Sequence, residues 1–145
     1  MILDSWYGDT SRMFFVGTPS VKAKLLSEVT YECLMRGIAA ARAGNPLGDI
    51  GHAIQSHAEA NRYSVVRDFC GHGIGQLFHD APNILHYGKQ GIGVKLAEGM
   101  LFTVEPMIKG VGHLRRLQPV AHLAQPAHRI GLCLDHLLPR AEAHR

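Results

Sequence analysis

Apolar residues recur at helical spacing after residue 20. Val21, Leu25, Val29, Cys33 or Leu34, and Ile38 line one side of a helix, which Ala39 to Ala41 continue. Thr18 is placed to cap it, and Pro19 suits a first helical position. Ala43-Gly44-Asn45-Pro46 ends it. A second stripe, Ile50, Ala53, Ile54 and His57 with Ala58, predicts a helix from about Leu47 to Asn61. Tyr63 to Val66 is β-branched and aromatic and reads as a strand. Met13-Phe14-Phe15-Val16, with Ile2-Leu3, predicts a hairpin or two adjacent strands. Phe69 to Gly75 reads as a glycine-rich bend and Asp80 to Gly93 as a loop. Lys95 to Val104 reads as an extended run broken at Glu98-Gly99. Within it Met100, Phe102 and Val104 share one face, and Leu101, Thr103 and Glu105 the other. Pro106 holds Glu105 extended.

The pattern changes after Ile108. No Trp, Tyr or Phe follows, and five of the ten histidines fall there. Residues 1 to 108 carry nine Lys+Arg and ten Asp+Glu, whereas residues 109 to 145 carry six and two. The net charge of +3 therefore belongs to the tail. We divide the chain into a domain at 1–108 and an atypical basic, His/Arg/Pro-rich tail at 109–145 that need not be ordered. Its one apolar piece is Ile130 to Leu138. Lacking aromatics for stacking and any dense Lys/Arg block, the tail argues against nucleic-acid binding. Its composition reads like a sequence translated in a shifted frame.

A chain of 145 residues fits one domain with a core. It has no apolar run of membrane-spanning length. Met1-Ile2-Leu3-Asp4 has neither the basic region nor the apolar stretch of a signal peptide. Cys33, Cys70 and Cys133 are odd in number and far apart, which suggests reduced thiols and a cytoplasmic setting.

The chemistry concentrates in Phe69-Cys70-Gly71-His72-Gly73-Ile74-Gly75, Phe78-His79 and Glu105-Pro106. His72 between two glycines could offer a neutral nitrogen to a metal or be a hydrogen-bonded loop histidine. Asp9, in Gly8-Asp9-Thr10-Ser11, could be a ligand or a turn residue. Glu105 shares a face with Leu101 and Thr103, and a buried carboxylate there needs a partner. His79 is spare, able to shuttle a proton or hold a carbonyl. His86 reads as a surface or loop histidine.

Gly8 to Phe14, Cys70 to Gly75, Phe78-His79, Leu85-His86-Tyr87-Gly88 and Phe102-Thr103-Val104-Glu105-Pro106-Met107 together resemble the type I methionine aminopeptidases of bacteria, from about Asp4 to Ile108. The resemblance implies a pita-bread fold of the α/β (α+β) class, with antiparallel sheet and covering helices around two divalent metal ions (Co, Mn, Fe or Zn). It implies removal of the N-terminal methionine from nascent proteins, in the cytoplasm and near the ribosome. Asp9, His72 and Glu105 match metal ligands. His79 matches a catalytic, substrate-contacting histidine, and Phe69 and Phe78 match positions at the methionine pocket.

The family needs two further ligands, expected before Met1 and after Ile108. Asp4 is too close to Asp9 to be the first. Glu142, in Arg140-Ala141-Glu142-Ala143-His144, does not match the last. The alternative is therefore a catalytically inactive fragment of the same fold. Such a chain would expose strand edges and apolar faces, favouring oligomers or poor solubility.

Overall fold

A computed structural model describes residues 1–110 and the backbone of residues 132–133. The element order is β1 (Ile2–Leu3), β2 (Trp6–Tyr7), α1 (Val21–Ala40), α2 (Leu47–Ala60), β3 (Tyr63–Val65), β4 (Gly71–Gly73), β5 (Asp80–Ile84), β6 (Thr103–Val104), β7 (Ile108–Gly110) and β8 (Leu132–Cys133). The strands pair antiparallel as β1–β2, β3–β7, β4–β5 and β6–β8.

The N-terminal hairpin forms with a different partner from the expected one. Asp4 and Ser5, at φ 49° and 68°, make a tight turn of the kind that suits strand twist, so Ile2–Leu3 pairs with Trp6–Tyr7. Met13 to Val16 is not a strand. Met13 packs on the core, while Phe14, Phe15 and Val16 are exposed.

Helix α1 starts later than Thr18-Pro19 suggests. Ser20 is extended, and its hydroxyl accepts the Ala23 N–H at 3.2 Å, making it the cap. Val21 and Leu25 face outward, and the buried face is Ser27, Val29, Thr30, Cys33, Leu34 and Gly37. At the far end Asn45 Nδ2 and Arg42 Nε donate to the orphan carbonyls of Ala40 and Ala39. Helix α2 buries Ile50, Gly51, Ile54 and Ala58. Its His57 lies 2.7 Å from Glu32 of α1. The helices cross where Gly37 meets Ile54: a Cβ on Gly37 would come within 2.7 Å of Ile54 Cδ1.

Both helices bury their apolar faces against Val65, Ile84, Phe102 and Val104 in one core. Two segments expected to be irregular are strands instead. Gly71–Gly73 lies within the expected bend, and Asp80–Ile84 within the expected loop; they pair with each other. Short glycine- and proline-containing strands give no alternation, so only tertiary pairing reveals them. Conversely, only Thr103–Val104 of the Lys95 to Val104 run is a strand; single bridges join Pro46 to Lys95 and Gly73 to Phe102. Each named sheet has two strands among the described residues, and β4 is joined on its other side by the bridge to Phe102 and the Ile74 N–H bond to the Leu101 carbonyl. Strand β8 falls inside the apolar piece Ile130 to Leu138. Of the expected tail at 109–145, Lys109 and Gly110 lie in β7; the rest of that apolar piece and the order of the remaining tail lie outside the described residues.

No helix among the described residues is long and apolar enough to cross a membrane. Cys33 and Cys70 are free thiols, and the side chain of Cys133 lies outside the described residues. Burial pushes the Cys33 thiol up to about 11, against partial relief from Arg36, and its thiol donates to the Ile54 carbonyl at 3.5 Å. Since the thiolate is the reactive form, iodoacetamide at mildly alkaline pH should alkylate the half-buried Cys70 and spare Cys33 until the chain unfolds. Peptide mass mapping with equal labelling of the two would contradict this.

Candidate metal centre

Three separate elements bring one donor each to the same point. Asp9 follows β2, whose Tyr7 N–H donates to the Gly75 carbonyl at 2.8 Å and docks the segment beside β4. His72 is the middle residue of β4, and Glu105 directly follows β6. One donor atom from each of Asp9, His72 and Glu105 lies within 4.8 Å of the others. His72 and Glu105 are buried, while Asp9 is half-buried.

The glycines around His72 serve close approach. Neither Gly71 nor Gly73 has a positive φ. A Cβ on Gly71 would run into the Thr103 carbonyl, and one on Gly73 into the Ala81 carbonyl. The backbones at Thr103 and Ala81 therefore come too close to β4 for a side chain at either glycine.

The hydrogen bonds fix the histidine's form. His72 Nδ1 lies 2.9 Å from the Gly73 carbonyl, which can only accept, so Nδ1 carries the proton. That leaves Nε2 as the ring's other binding position, 3.6 Å from Glu105 Oε1. Two buried lone-pair atoms that close disfavour each other unless a cation or proton lies between them. One neutral nitrogen and two carboxylates suit Zn, Co, Mn or Fe chemically, so the donor set fits a divalent metal.

Two supporting residues escaped the sequence reading. Thr103 accepts the His72 N–H at 3.0 Å and donates to Glu105 Oε1 at 3.0 Å. His86, expected to be a surface or loop histidine, lies in the bend after β5 but is 1% exposed. Its Nε2 accepts the Glu105 N–H at 3.1 Å, and burial lowers its pKa to about 4, so the ring is neutral. The signal for Thr103 was present, since residues two apart on a strand share a face. His86 sits two residues after β5, in a segment read as loop, so its burial was not foreseeable.

Beside these donors opens a cavity of about 570 Å³ bordered by Asp68, Phe69, Cys70, His72, His79, Asp80, Ala81, Asn83 and Glu105. His79 is exposed at its edge, its ring 4.3 Å centre to centre from that of His72 and 4.6 Å from that of Phe78. Phe78 does not border the cavity; it packs edge-on to Tyr7 at 5.6 Å and against His72 at 5.6 Å. Phe69 is a half-exposed wall.

The chain is 62% identical over 108 residues to the methionine aminopeptidase of Rickettsia prowazekii (strain Madrid E), covering 74% of this chain and 42% of that one. It is 62% identical over 107 residues to methionine aminopeptidase A of Synechocystis, with the same shares. The crystal structure of the Rickettsia prowazekii methionine aminopeptidase superposes with a TM-score of 0.79 at 51% identity, covering 91% of this chain and 54% of that one. The chain thus spans about two fifths of the length of these curated relatives. Its helices and antiparallel pairs form part of the pita-bread α+β fold. The family model described as metallopeptidase family M24 matches residues 1–124, a stretch that contains Asp9, His72 and Glu105, and on that match the chain belongs to metallopeptidase family M24.

Proposed function

We propose that the chain serves metal-dependent removal of the N-terminal methionine from nascent proteins, as the names of its relatives suggest. The convergence of Asp9, His72 and Glu105, the last two bordering one cavity, carries the proposal. These three would hold divalent metal, with two ions of Co, Mn, Fe or Zn in the complete site and cytoplasmic, ribosome-proximal action. A bound divalent ion supplies a water activated at neutral pH.

The chain's own residues would do the rest. His72 keeps its Nδ1 proton on Gly73 and its Nε2 free for binding. Glu105, anchored through its backbone by His86 and through Oε1 by Thr103, holds its carboxylate still. His79, exposed at the cavity edge, would orient the scissile carbonyl and pass a proton. Phe69 would give the methionine side chain an apolar wall, and Phe78, behind both histidines, would keep their rings in place.

A second reading has its own support. Among the described residues only one group of three such donors converges, whereas a two-metal site needs roughly five ligands. On that reading the chain holds one ion and turns nothing over. Dialysis against Mn²⁺ or Co²⁺ followed by metal analysis, together with methionine release from a Met-Ala-Ser peptide, separates them. Two equivalents with release support the enzyme; one equivalent without release supports the binding-only chain. No uptake, or uptake unchanged by His72→Ala, would overturn the metal centre itself.

A further inference from the structure

We propose that Thr103 is a positioning residue for this centre, its hydroxyl setting the rotation of the Glu105 carboxylate against His72. The inference rests on the metal-centre reading above and adds a residue that the donor set does not include. Thr103 is 2% exposed, so its hydroxyl exchanges no bonds with bulk water. The buried His72 N–H points at the oxygen, at 3.0 Å, and occupies one lone pair. The single hydroxyl proton has two acceptors in reach, Glu105 Oε1 at 3.0 Å and the His72 carbonyl at 3.5 Å. The carboxylate is nearer and gains the stronger, charge-assisted bond.

That choice has a geometric result. Oε1, the atom taking the Thr103 proton, is also the atom 3.6 Å from His72 Nε2. One hydroxyl therefore holds the backbone of one donor and the carboxylate of another. Threonine is stiff at χ1, and Thr103 lies in β6, paired with Cys133. Without the hydroxyl the carboxylate loses one of the contacts that set its rotation, and a metal would have to supply that restraint at the moment of binding. Outer-sphere partners of this kind typically change metal affinity by about 10–100-fold.

The test uses the full chain, with Mn²⁺ alone as the probe followed by electron paramagnetic resonance of the free ion. Thermal unfolding is recorded in metal-free buffer for the same samples. Thr103→Val keeps the shape and removes the hydroxyl; Thr103→Ser keeps the hydroxyl and removes the methyl. The valine variant should bind Mn²⁺ about 10–100-fold more weakly, and the serine variant should bind as wild type even where its metal-free melting falls. A merely structural role would make affinity follow melting in both variants, and that pattern overturns the inference. Equal affinity of wild type and Thr103→Val also overturns it, while leaving the metal centre standing. A wild-type chain that takes up no Mn²⁺ overturns the metal centre and this inference with it. Should the valine variant not fold, Thr103→Cys, with a weaker donor in the same place, carries the same test. Wild-type affinity there overturns the inference, and a weakening short of the valine range supports it.

Discussion

Gly73→Ala is expected to destroy the cooperative fold. The new methyl would point straight at the Ala81 carbonyl oxygen, with the Ala81 carbonyl carbon at 2.7 Å and the Asp80 oxygen at 3.0 Å. These are backbone atoms of the paired strand β5, not the ends of flexible side chains, so the clash cannot be relieved by a rotamer change. The ladder between β4 and β5 must open. Overpacking of a rigid interior usually costs about 1–3 kcal/mol and sometimes more, and losing the pairing of Gly71 with Ile84 and His72 with Asn83 adds to that. Ordinary domains hold only about 5–15 kcal/mol in total. Gly71→Ala should behave alike, because its methyl meets the Thr103 carbonyl. Gly44→Ala has open space around it and should suffer only from its left-handed φ of 89°, about 1 kcal/mol or a little more. Circular dichroism melts rank the three. A Gly73→Ala chain melting within about 2 °C of wild type would refute the close-approach account.

Replacing His86 should cost nearly as much, and the cost should depend on pH. The ring is fully enclosed and gives its Nε2 lone pair to the Glu105 N–H. His86→Leu would remove the imidazole acceptor of that buried N–H, a penalty of about 1–3 kcal/mol. His86→Gln can place an amide oxygen near the same point and should recover much of it. The native ring titrates near 4 rather than 6.5, because burial disfavours its charged form. Its folded pKa is thus below its unfolded one, and between them the unfolded chain binds the extra proton. Stability is then full above about pH 6.5 and falls as pH drops towards 4, by up to roughly 3 kcal/mol from this group. His86→Gln has no such proton and should lose that part of the acid slope. Denaturant titrations of wild type and His86→Gln at pH 7 and pH 4.5 decide it. Parallel losses in both proteins would show that His86 is not responsible.

The parts of this fold that the sequence exposes are the periodic ones. Helix α2 appears within a residue of its expected span, and β3 within one residue of its own, because both carry an uninterrupted pattern. Helix α1 shows how the pattern overreaches. Val21 and Leu25 keep the period but face water, since helical spacing says which side a residue is on and not whether anything covers that side. The strands β4 and β5 are invisible locally, because glycine, proline and polar residues predominate and Ile84 is their one large apolar side chain, so their order comes from pairing.

The site divides the same way. Asp9, His72 and Glu105 could be nominated from residue type and motif, and the fold brings them together. The glycines flanking His72 allow a sharp turn or a close approach to other groups, and close approach is the use the fold makes of them. Which backbones come close has no trace in the local sequence. His86 lies in a loop as its sequence suggests, but its burial was not legible because its partner is a backbone N–H nineteen residues away, a relation with no trace in composition or spacing.

The three donors come from positions 9, 72 and 105, and in the unfolded chain nothing holds such distant residues near one another. Gathering them is an entropic debt that the folded chain has already met through its helices and strand pairs. An ion that recognises all three can therefore recognise only the folded form. Its concentration becomes a thermodynamic lever on the fold: at a hundred times its dissociation constant it adds about 2.7 kcal/mol to the folding free energy. For a chain with this many exposed apolar residues, metal supply and conformational integrity become one variable.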